Sequence, residues 1–270
     1  MKNLGRIVSL SASTTAVIDA LGATDRLVAV TKDCARLTPV VAGIPLVGDC
    51  WSASADEVAA FEPDLVVGAA PYRGEVVAAL VERRLRFLAT APWTLSEVFT
   101  DMLTIGAALE RHDEAFALVE GLRSRMEEIR RAVADRPRPR VYCEVWMKPV
   151  MSSPLWVSEL VDAAGGEMVI EGARVLEPEE VVDADPDVVV MAWCGAIGRS
   201  DPAKFAARPG YGDLRAVREG RVVPVRDEYL NAPCQHLATG LEILAHTLHP
   251  EVFGDLPTAL APERVRRVDR

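Results

Sequence analysis

Hydrophobic residues in this chain occur in short, nearly continuous runs that are separated by amphipathic segments. Apolar runs of three to five residues predict strands at 7–10, 27–30, 65–67, 86–89, 141–145, 188–192 and 222–225. Between them the spacing predicts amphipathic helices, for example over 14–21, 55–61 and 75–83. Uninterrupted apolar runs are typical of parallel strands that are buried on both faces. The alternation of strand and helix therefore predicts an α/β protein with parallel sheets.

The middle of the chain has a helical pattern instead. Thr94 and Glu97 are spaced as a capping box that begins a helix, and Asp113 is a candidate N-cap for a second helix. Apolar residues then recur every three or four positions, which predicts one face of a helix about 20 residues and roughly 30 Å long. That face comprises Ala115, Leu118, Val119, Leu122, Met126, Ile129 and Val133. Two prolines within 135–140 predict a stiff joint after it.

Segments of the two halves resemble each other in the same order. Residues 56–67 align without gaps onto 179–190, and six of the twelve positions are identical. We therefore predict two Rossmann-like lobes of one topology, each with a parallel central sheet, joined by the long helix. The predicted boundaries are an N-terminal lobe at 1–92, a helical segment with the bridging helix at 93–136, and a C-terminal lobe at 137–270.

Charge and hydropathy exclude several classes of protein. Thirty Lys and Arg stand against forty Asp and Glu, a formal net charge of −10. This balance argues against a nucleic-acid binder and against attachment to anionic lipid through basic residues. The sequence contains no apolar stretch of membrane-spanning length. We expect a periplasmic or membrane-associated extracytoplasmic protein if a signal precedes the numbered chain, and a cytoplasmic one if the sequence is complete.

The common catalytic motifs are missing from the sequence: it contains no dinucleotide-binding, phosphate-loop, nucleophile-elbow or HExxH pattern. Five cysteines without a C-x-x-C pair predict free thiols, with Cys143 buried in a strand. Cys34, Cys194 and Cys234 are expected near the mouth of a cleft. His246 and His249 could form half of a metal site, although capping of a helix end is the commoner role of such residues.

Aromatic residues are few, and several directly follow predicted strands. Tyr72, Trp193 and Tyr229 lie in such positions, and Trp51 lies in a loop before the helix that carries Glu57, so that each half contains two of these residues. In open α/β sheets ligands bind at the carboxyl ends of the strands. These side chains therefore predict an aromatic binding surface, although each one alone could simply pack a loop onto the core.

The opening of the chain resembles the class III substrate-binding proteins of ABC importers, and more narrowly their cobalamin-binding branch. The resemblance lies in residues 6–15, Ala20-Leu21-Gly22-Ala23, residues 25–30 and Cys34. Matches at Glu57, at Pro63-Asp64 and at 240–250 extend the resemblance over about 5–253. It implies two lobes bridged by a rigid helix, with a corrinoid held in the cleft between them. The implied ligand-binding residues are Cys34, Trp51, Tyr72, Trp146, Met151, Trp193 and Tyr229. It also implies that Glu57 and Glu180 dock to the transporter permease.

The resemblance further implies a non-enzymatic monomer whose partners are a small molecule and an ABC permease, with no metal and no cofactor apart from the bound ligand. Cys234 and His236 stand where the family often has glycine and arginine. One alternative is a heme or ferric-siderophore binder, for which Arg73, Arg199 and Arg226 are the candidate cations. The other is a cytosolic tetrapyrrole- or metal-handling protein or enzyme, with Cys34, Cys50, Cys194, Cys234 and His236 as ligands.

Overall fold

The computed structural model of the chain describes residues 4–195, 200–257 and 260. The chain divides into two compact units. Unit 1 comprises residues 1–121 and 233–235, and unit 2 comprises 122–232 and 236–270. The division therefore falls within the long helix, and the segment 93–136 is shared between the units. Gln235 belongs with unit 1, where its Nε2 donates to the carbonyl of Ala16 at 2.9 Å.

Unit 1 contains a five-stranded parallel sheet of order β3-β2-β1-β4-β5. Its strands are β1 (Ile7–Ser9), β2 (Leu27–Thr31), β3 (Leu46–Val47), β4 (Leu65–Ala69) and β5 (Phe87–Thr90). Four of them are the strands that the apolar runs predict. The two-residue β3 is too short to leave such a signal.

Unit 2 contains a second sheet of order β10-β9-β6-β7, with β8 paired to the beginning of β6. Its strands are β6 (Arg140–Met147), β7 (Val150–Ser152), β8 (Glu167–Met168), β9 (Val188–Met191) and β10 (Val222–Pro224). The pairings of β6, β8, β9 and β10 are parallel, as predicted. β7 is the exception, because it turns back in a hairpin and pairs with β6 antiparallel.

Helices cover the sheets. They are α1 (Ala12–Ala20), α2 (Cys34–Leu37), α3 (Ala55–Ala59), α4 (Gly74–Glu82), α5 (Leu95–Ala108), α6 (His112–Val133), α7 (Leu155–Ala163), α8 (Pro178–Ala184), α9 (Pro202–Ala206), α10 (Arg215–Arg218), α11 (Leu237–Leu248) and α12 (Pro250–Phe253). The α/β fold predicted from the sequence is confirmed. Among the described residues no helix combines the length and the apolar character needed to cross a bilayer.

The helices predicted in the middle of the chain form with nearly the predicted caps and apolar face. Thr94 and Glu97 make the capping box of α5, with Thr94 Oγ1 accepting from the Glu97 amide at 3.2 Å. The long helix α6 has 22 residues, and its predicted apolar face is buried apart from Leu118, which is half-buried. The predicted N-cap is wrong, because α6 already begins at His112. Asp113 lies in the first turn, where its carboxylate complements the helix dipole.

The sequence repeat has a structural explanation in both units. Asp64 precedes β4, and its Oδ2 accepts from the backbone amide of Arg6 at 3.1 Å. Asp187 precedes β9, and its Oδ2 accepts from the amide of Arg140 at 2.9 Å. Each aspartate thus joins the start of its own strand to the start of the neighbouring strand. The repeated Pro-Asp therefore reflects one supersecondary unit that occurs twice.

Candidate functional site

The loop after β3 presents a tryptophan at the carboxyl edge of the unit 1 sheet. Asp49 holds this loop, since its Oδ1 accepts from the Trp51 amide at 3.1 Å and from Ser52 Oγ at 2.7 Å. Burial opposes ionisation of Asp49, but hydrogen bonds from Ser52 and Trp51 outweigh it and place the pKa of Asp49 below its usual value. The turn is therefore fixed while the Trp51 side chain remains 53% exposed.

Tyr72, in the loop after β4, is bound to the strands β4 and β5. Its hydroxyl lies 2.5 Å from the carbonyl of Thr90 and 2.9 Å from that of Gly68, and its ring packs edge-on against Phe87. Burial raises the pKa of Tyr72 far above its usual value. The predicted position at a strand end is correct, but the hydroxyl is used within the unit itself. Only the half-buried ring remains for contact with a ligand.

A second exposed tryptophan of unit 1 is not among the residues predicted from the sequence. Trp93 follows β5 by three residues, directly before α5, and its side chain is 58% exposed. The signal was present in the sequence, because Ala91-Pro92-Trp93 separates a predicted strand from a capping box. It follows the same pattern as the loops of Trp51 and Tyr72.

In unit 2 the hairpin of β6 and β7 carries an apolar stripe. Trp146 pairs with Met151 across the hairpin, and Met151 forms a bridge to Val175. Paired residues point to the same face of a sheet, so these three side chains share one face. Trp146 is 42% exposed and Val175 is also exposed, while Met151 is half-buried. Two predicted ligand residues thus lie side by side, and Val175 adds to them.

Trp193 has a different environment from the one expected. It is only 5% exposed, and its Nε1 donates to Glu144 Oε1 at 2.8 Å. The carboxylate of Glu144 is fully buried and accepts two further bonds from Arg208, at 2.7 and 2.8 Å. The Arg208 guanidinium lies 5.6 Å from the centroid of the Trp193 ring. The expectation of an exposed indole at this position is wrong, because a buried ion pair holds it in the core of unit 2.

Tyr229 lies in the loop after β10 and is half-buried. The Arg226 guanidinium lies 5.6 Å from its ring centroid, and the His236 ring lies 6.3 Å away. Arg226 also forms an ion pair with Glu228. The loop therefore combines a phenol, an imidazole and a paired cation at the carboxyl end of the sheet. Arg199, the other candidate cation of this half, lies outside the described residues.

None of the five cysteines, all of which lie within the described residues, forms a disulfide, and four of them are buried. Cys34 has no exposed surface, and its Sγ lies 3.0 Å from Thr15 Oγ1 and 3.2 Å from Thr31 Oγ1. Cys234 is equally buried, so the prediction that both thiols lie at a cleft mouth is wrong. Cys194 is partly exposed, and the interior position predicted for Cys143 is confirmed. Burial raises the pKa of Cys50 to about 11, so that this thiol stays protonated.

The histidines near the C-terminus do not form a metal site. His249 is buried, with Nε2 3.2 Å from the carbonyl of Gly165 and Nδ1 3.3 Å from Glu251 Oε1. His246 Nδ1 lies 3.0 Å from the carbonyl of Gly254. In the part of the chain that the structure describes, no group of three or more His, Cys, Asp or Glu side chains is arranged to hold a metal ion.

The two acids implied in docking differ in their surroundings. Glu57 is exposed on α3, and its closest hydrogen-bond donor is the amide of Gly48 at 3.5 Å. Glu180 belongs to the capping box of α8 and also pairs with Arg174 at 2.8 Å. The hydrogen bond from Arg174 is the main cause of a lowered pKa for Glu180. The capping role thus explains why a glutamate occurs at position 180, whereas Glu57 presents its carboxylate to solvent.

A surface groove of about 650 Å³ begins at Trp51 and runs between α3 and α4. Charged residues line much of it, including an ion pair between Arg83 and Asp56 and another between Arg73 and Glu75. Arg73, a candidate cation for an anionic ligand, is therefore already paired.

The sequence from residue 7 to residue 229 matches the family described as periplasmic binding protein. The chain is a periplasmic binding protein. This match covers both sheets and all the residues that the resemblance implied in ligand binding and docking.

Known periplasmic binding proteins and their relatives resemble the chain over most of its length. It is 25% identical over 267 residues to the uncharacterized ABC transporter substrate-binding lipoprotein YvrC of Bacillus subtilis. The alignment covers 92% of this chain and 81% of YvrC. A periplasmic heme binding protein from Pseudomonas aeruginosa superposes with a TM-score of 0.82 at 23% identity, covering 95% and 96% of the two chains. The vitamin B12 binding protein BtuF of Vibrio cholerae superposes with 0.75 at 19% identity, covering 91% and 97%. The chain thus shares its fold with a heme binding protein and with a vitamin B12 binding protein.

Proposed function

We propose that this chain is the substrate-binding protein of an ABC importer and that its ligand is a corrinoid such as cobalamin. The observation that carries the proposal is the exposure of Trp51 in unit 1 and of Trp146 in unit 2, each at or just beyond the end of a strand. Exposed tryptophans at strand ends are typical of binding sites rather than of a solvated surface. Membership in the periplasmic binding protein family and the similarity to YvrC support the transport role.

The chemistry of these residues suits a broad macrocycle. Indole faces and aliphatic side chains such as Met151 and Val175 bury large apolar areas with little loss of side-chain freedom. The candidate cations Arg73 and Arg226 are each paired with a neighbouring acid, which disfavours a strongly anionic siderophore. We assign no catalytic step, because binding and release are sufficient for this role.

Heme is the second candidate, and the loop of Tyr229 favours it. Phenol and imidazole groups are axial ligands of heme iron, and Tyr229 and His236 lie beside each other. The similarity to a heme-binding protein fold adds to this candidate. In that case Tyr229 or His236 would bind the metal, whereas a corrinoid would need only the apolar surfaces.

A visible-absorption titration of the purified protein with cobalamin, cobinamide and heme distinguishes the two ligands. We expect saturable binding of cobalamin or cobinamide at micromolar affinity or tighter, with one ligand per chain. A Tyr229→Phe variant should bind the corrinoid as the wild type does. Saturation with heme alone, accompanied by loss of its spectrum in Tyr229→Phe, would reassign the ligand.

The proposed docking to a permease depends mainly on Glu57. An exposed carboxylate can pair with a permease arginine and set the orientation of the complex. Glu180 would first have to give up its pairing with Arg174, so we expect a smaller contribution from it. Such docking implies an extracytoplasmic location, where the chain meets the permease as a monomer.

Charge reversal tests the docking role. Glu57→Arg should abolish uptake of the ligand in cells while leaving its affinity unchanged, because α3 does not need this side chain for its cap. Glu82→Arg, on the exposed surface of α4, is the matched control and should retain uptake. Uptake at the wild-type rate by Glu57→Arg would refute the docking role.

A further inference from the structure

We propose that Trp93 is a further ligand-contact residue, which extends the binding surface of Trp51 across the carboxyl edge of the unit 1 sheet. The inference rests on the proposed function and names a residue that widens the same site. Its ligand is the flat macrocycle of a tetrapyrrole.

The exposed indole of Trp93 contributes little to the packing of unit 1. The side chain is 58% exposed, a greater fraction than for Trp51. The role of Trp93 in the fold is played by its backbone, since its amide donates to Glu97 Oε2 at 2.6 Å beside the capping box of α5. The indole can therefore serve binding while the helix start remains intact.

Hydrogen bonds bring the loops of the two tryptophans together. The amide of Arg73 donates to the carbonyl of Cys50 at 3.0 Å, which joins the Trp51 loop to the loop after β4. Tyr72 then binds the carbonyl of Thr90 through its hydroxyl, and the amide of Ala70 donates to the same carbonyl at 2.8 Å. Trp51 is one residue from Cys50 and Trp93 is three residues from Thr90. The loops that carry the two tryptophans therefore both connect to the segment 70–73 that follows β4.

This arrangement has a consequence for the choice of ligand. Two exposed tryptophans in loops that both connect to the segment after β4 offer a larger aromatic surface than one aromatic side chain. A macrocycle can contact both of them, whereas a small solute can contact only one. Because the Arg73 amide and the Tyr72 hydroxyl hold these loops, the loops are fixed before the ligand binds, which lowers the entropic cost of binding.

Substitution of Trp93 tests the inference, with cobinamide and heme as probes in a visible-absorption titration. For the probe that the wild type binds, Trp93→Ala should have a dissociation constant about ten-fold higher than that of the wild type. Trp93→Phe should retain most of the affinity. The control is Phe116→Ala, which removes a 61% exposed aromatic from α6 and should bind as the wild type does. Thermal unfolding of all three variants should match the wild type.

The outcomes separate this inference from the proposed function. Unchanged affinity of Trp93→Ala, while Trp51→Ala binds more weakly, would overturn the role of Trp93 and leave the proposed function standing. Equal weakening in Phe116→Ala would also overturn it, because the effect would then not be specific to these loops. Failure of the wild type to bind either probe would overturn the proposed function and, with it, this inference.

Discussion

Replacing Arg208 with methionine is expected to lower the free energy of unfolding by about 3–5 kcal/mol. The reason is that Glu144 is fully buried and depends on Arg208 for two of its hydrogen bonds. Without the guanidinium the carboxylate keeps only its bonds to Trp193 and Tyr142, at 2.8 and 3.1 Å. An uncompensated charge in the core is costly because the interior cannot replace its hydration. Chemical denaturation monitored by circular dichroism measures the change.

A double variant provides the control for this prediction. Arg208→Met combined with Glu144→Leu removes both charges, so most of the lost stability should return. Recovery is expected to be incomplete, because the indole N–H of Trp193 and the hydroxyl of Tyr142 then both lose their acceptor. A single variant that loses less than about 1 kcal/mol would contradict the account, because a surface ion pair would behave in that way.

Replacing Trp51 with alanine is expected to weaken ligand binding by about 1–3 kcal/mol, which is roughly a 5- to 150-fold rise in the dissociation constant. Trp51 is exposed, and the turn that carries it is held by the side chain of Asp49 and not by the indole. Stability should therefore change by no more than about 0.5 kcal/mol. Fluorescence titration and thermal unfolding of the same preparation measure both quantities.

Trp193 is the contrasting control, since it was expected to share the role of Trp51. Trp193→Ala should destabilise unit 2 by about 3–5 kcal/mol through loss of a large buried side chain, while the folded fraction binds ligand normally. If instead Trp51→Ala destabilised the protein and bound normally, the assignment of the two tryptophans would be reversed.

Local sequence patterns predicted most of the regular structure. The capping box of Thr94 and Glu97 and the apolar face of α6 depend only on neighbours along the chain, and both form. The strand β7 and its hairpin were missed because Val150–Ser152 is short and pairs at an edge. The N-cap predicted at Asp113 was wrong by two residues, because α6 begins at His112 and Arg111 therefore precedes it as the N-cap.

The candidate site was harder to predict, because burial depends on distant partners. Trp51 follows the short strand β3 and is exposed, whereas Trp193 follows β9 and is buried, and the residues next to each in the sequence do not reveal this difference. The difference arises from Glu144 and Arg208, which are 49 and 15 positions away from Trp193. Cys34 is likewise withdrawn into the core by Thr15 and Thr31. No pattern within a short window contains these contacts.

We propose that each chain binds one corrinoid and that the exposed side chains of Trp51 and Trp146 contribute to this binding. Isothermal titration calorimetry of cobinamide into the wild type and into the double variant Trp51→Ala/Trp146→Ala tests it most directly. We predict one site per chain with a dissociation constant of about 10 μM or lower for the wild type, and no measurable heat of binding for the folded double variant. Equal binding by both proteins, or no binding of cobinamide by the wild type up to about 100 μM, would contradict the claim.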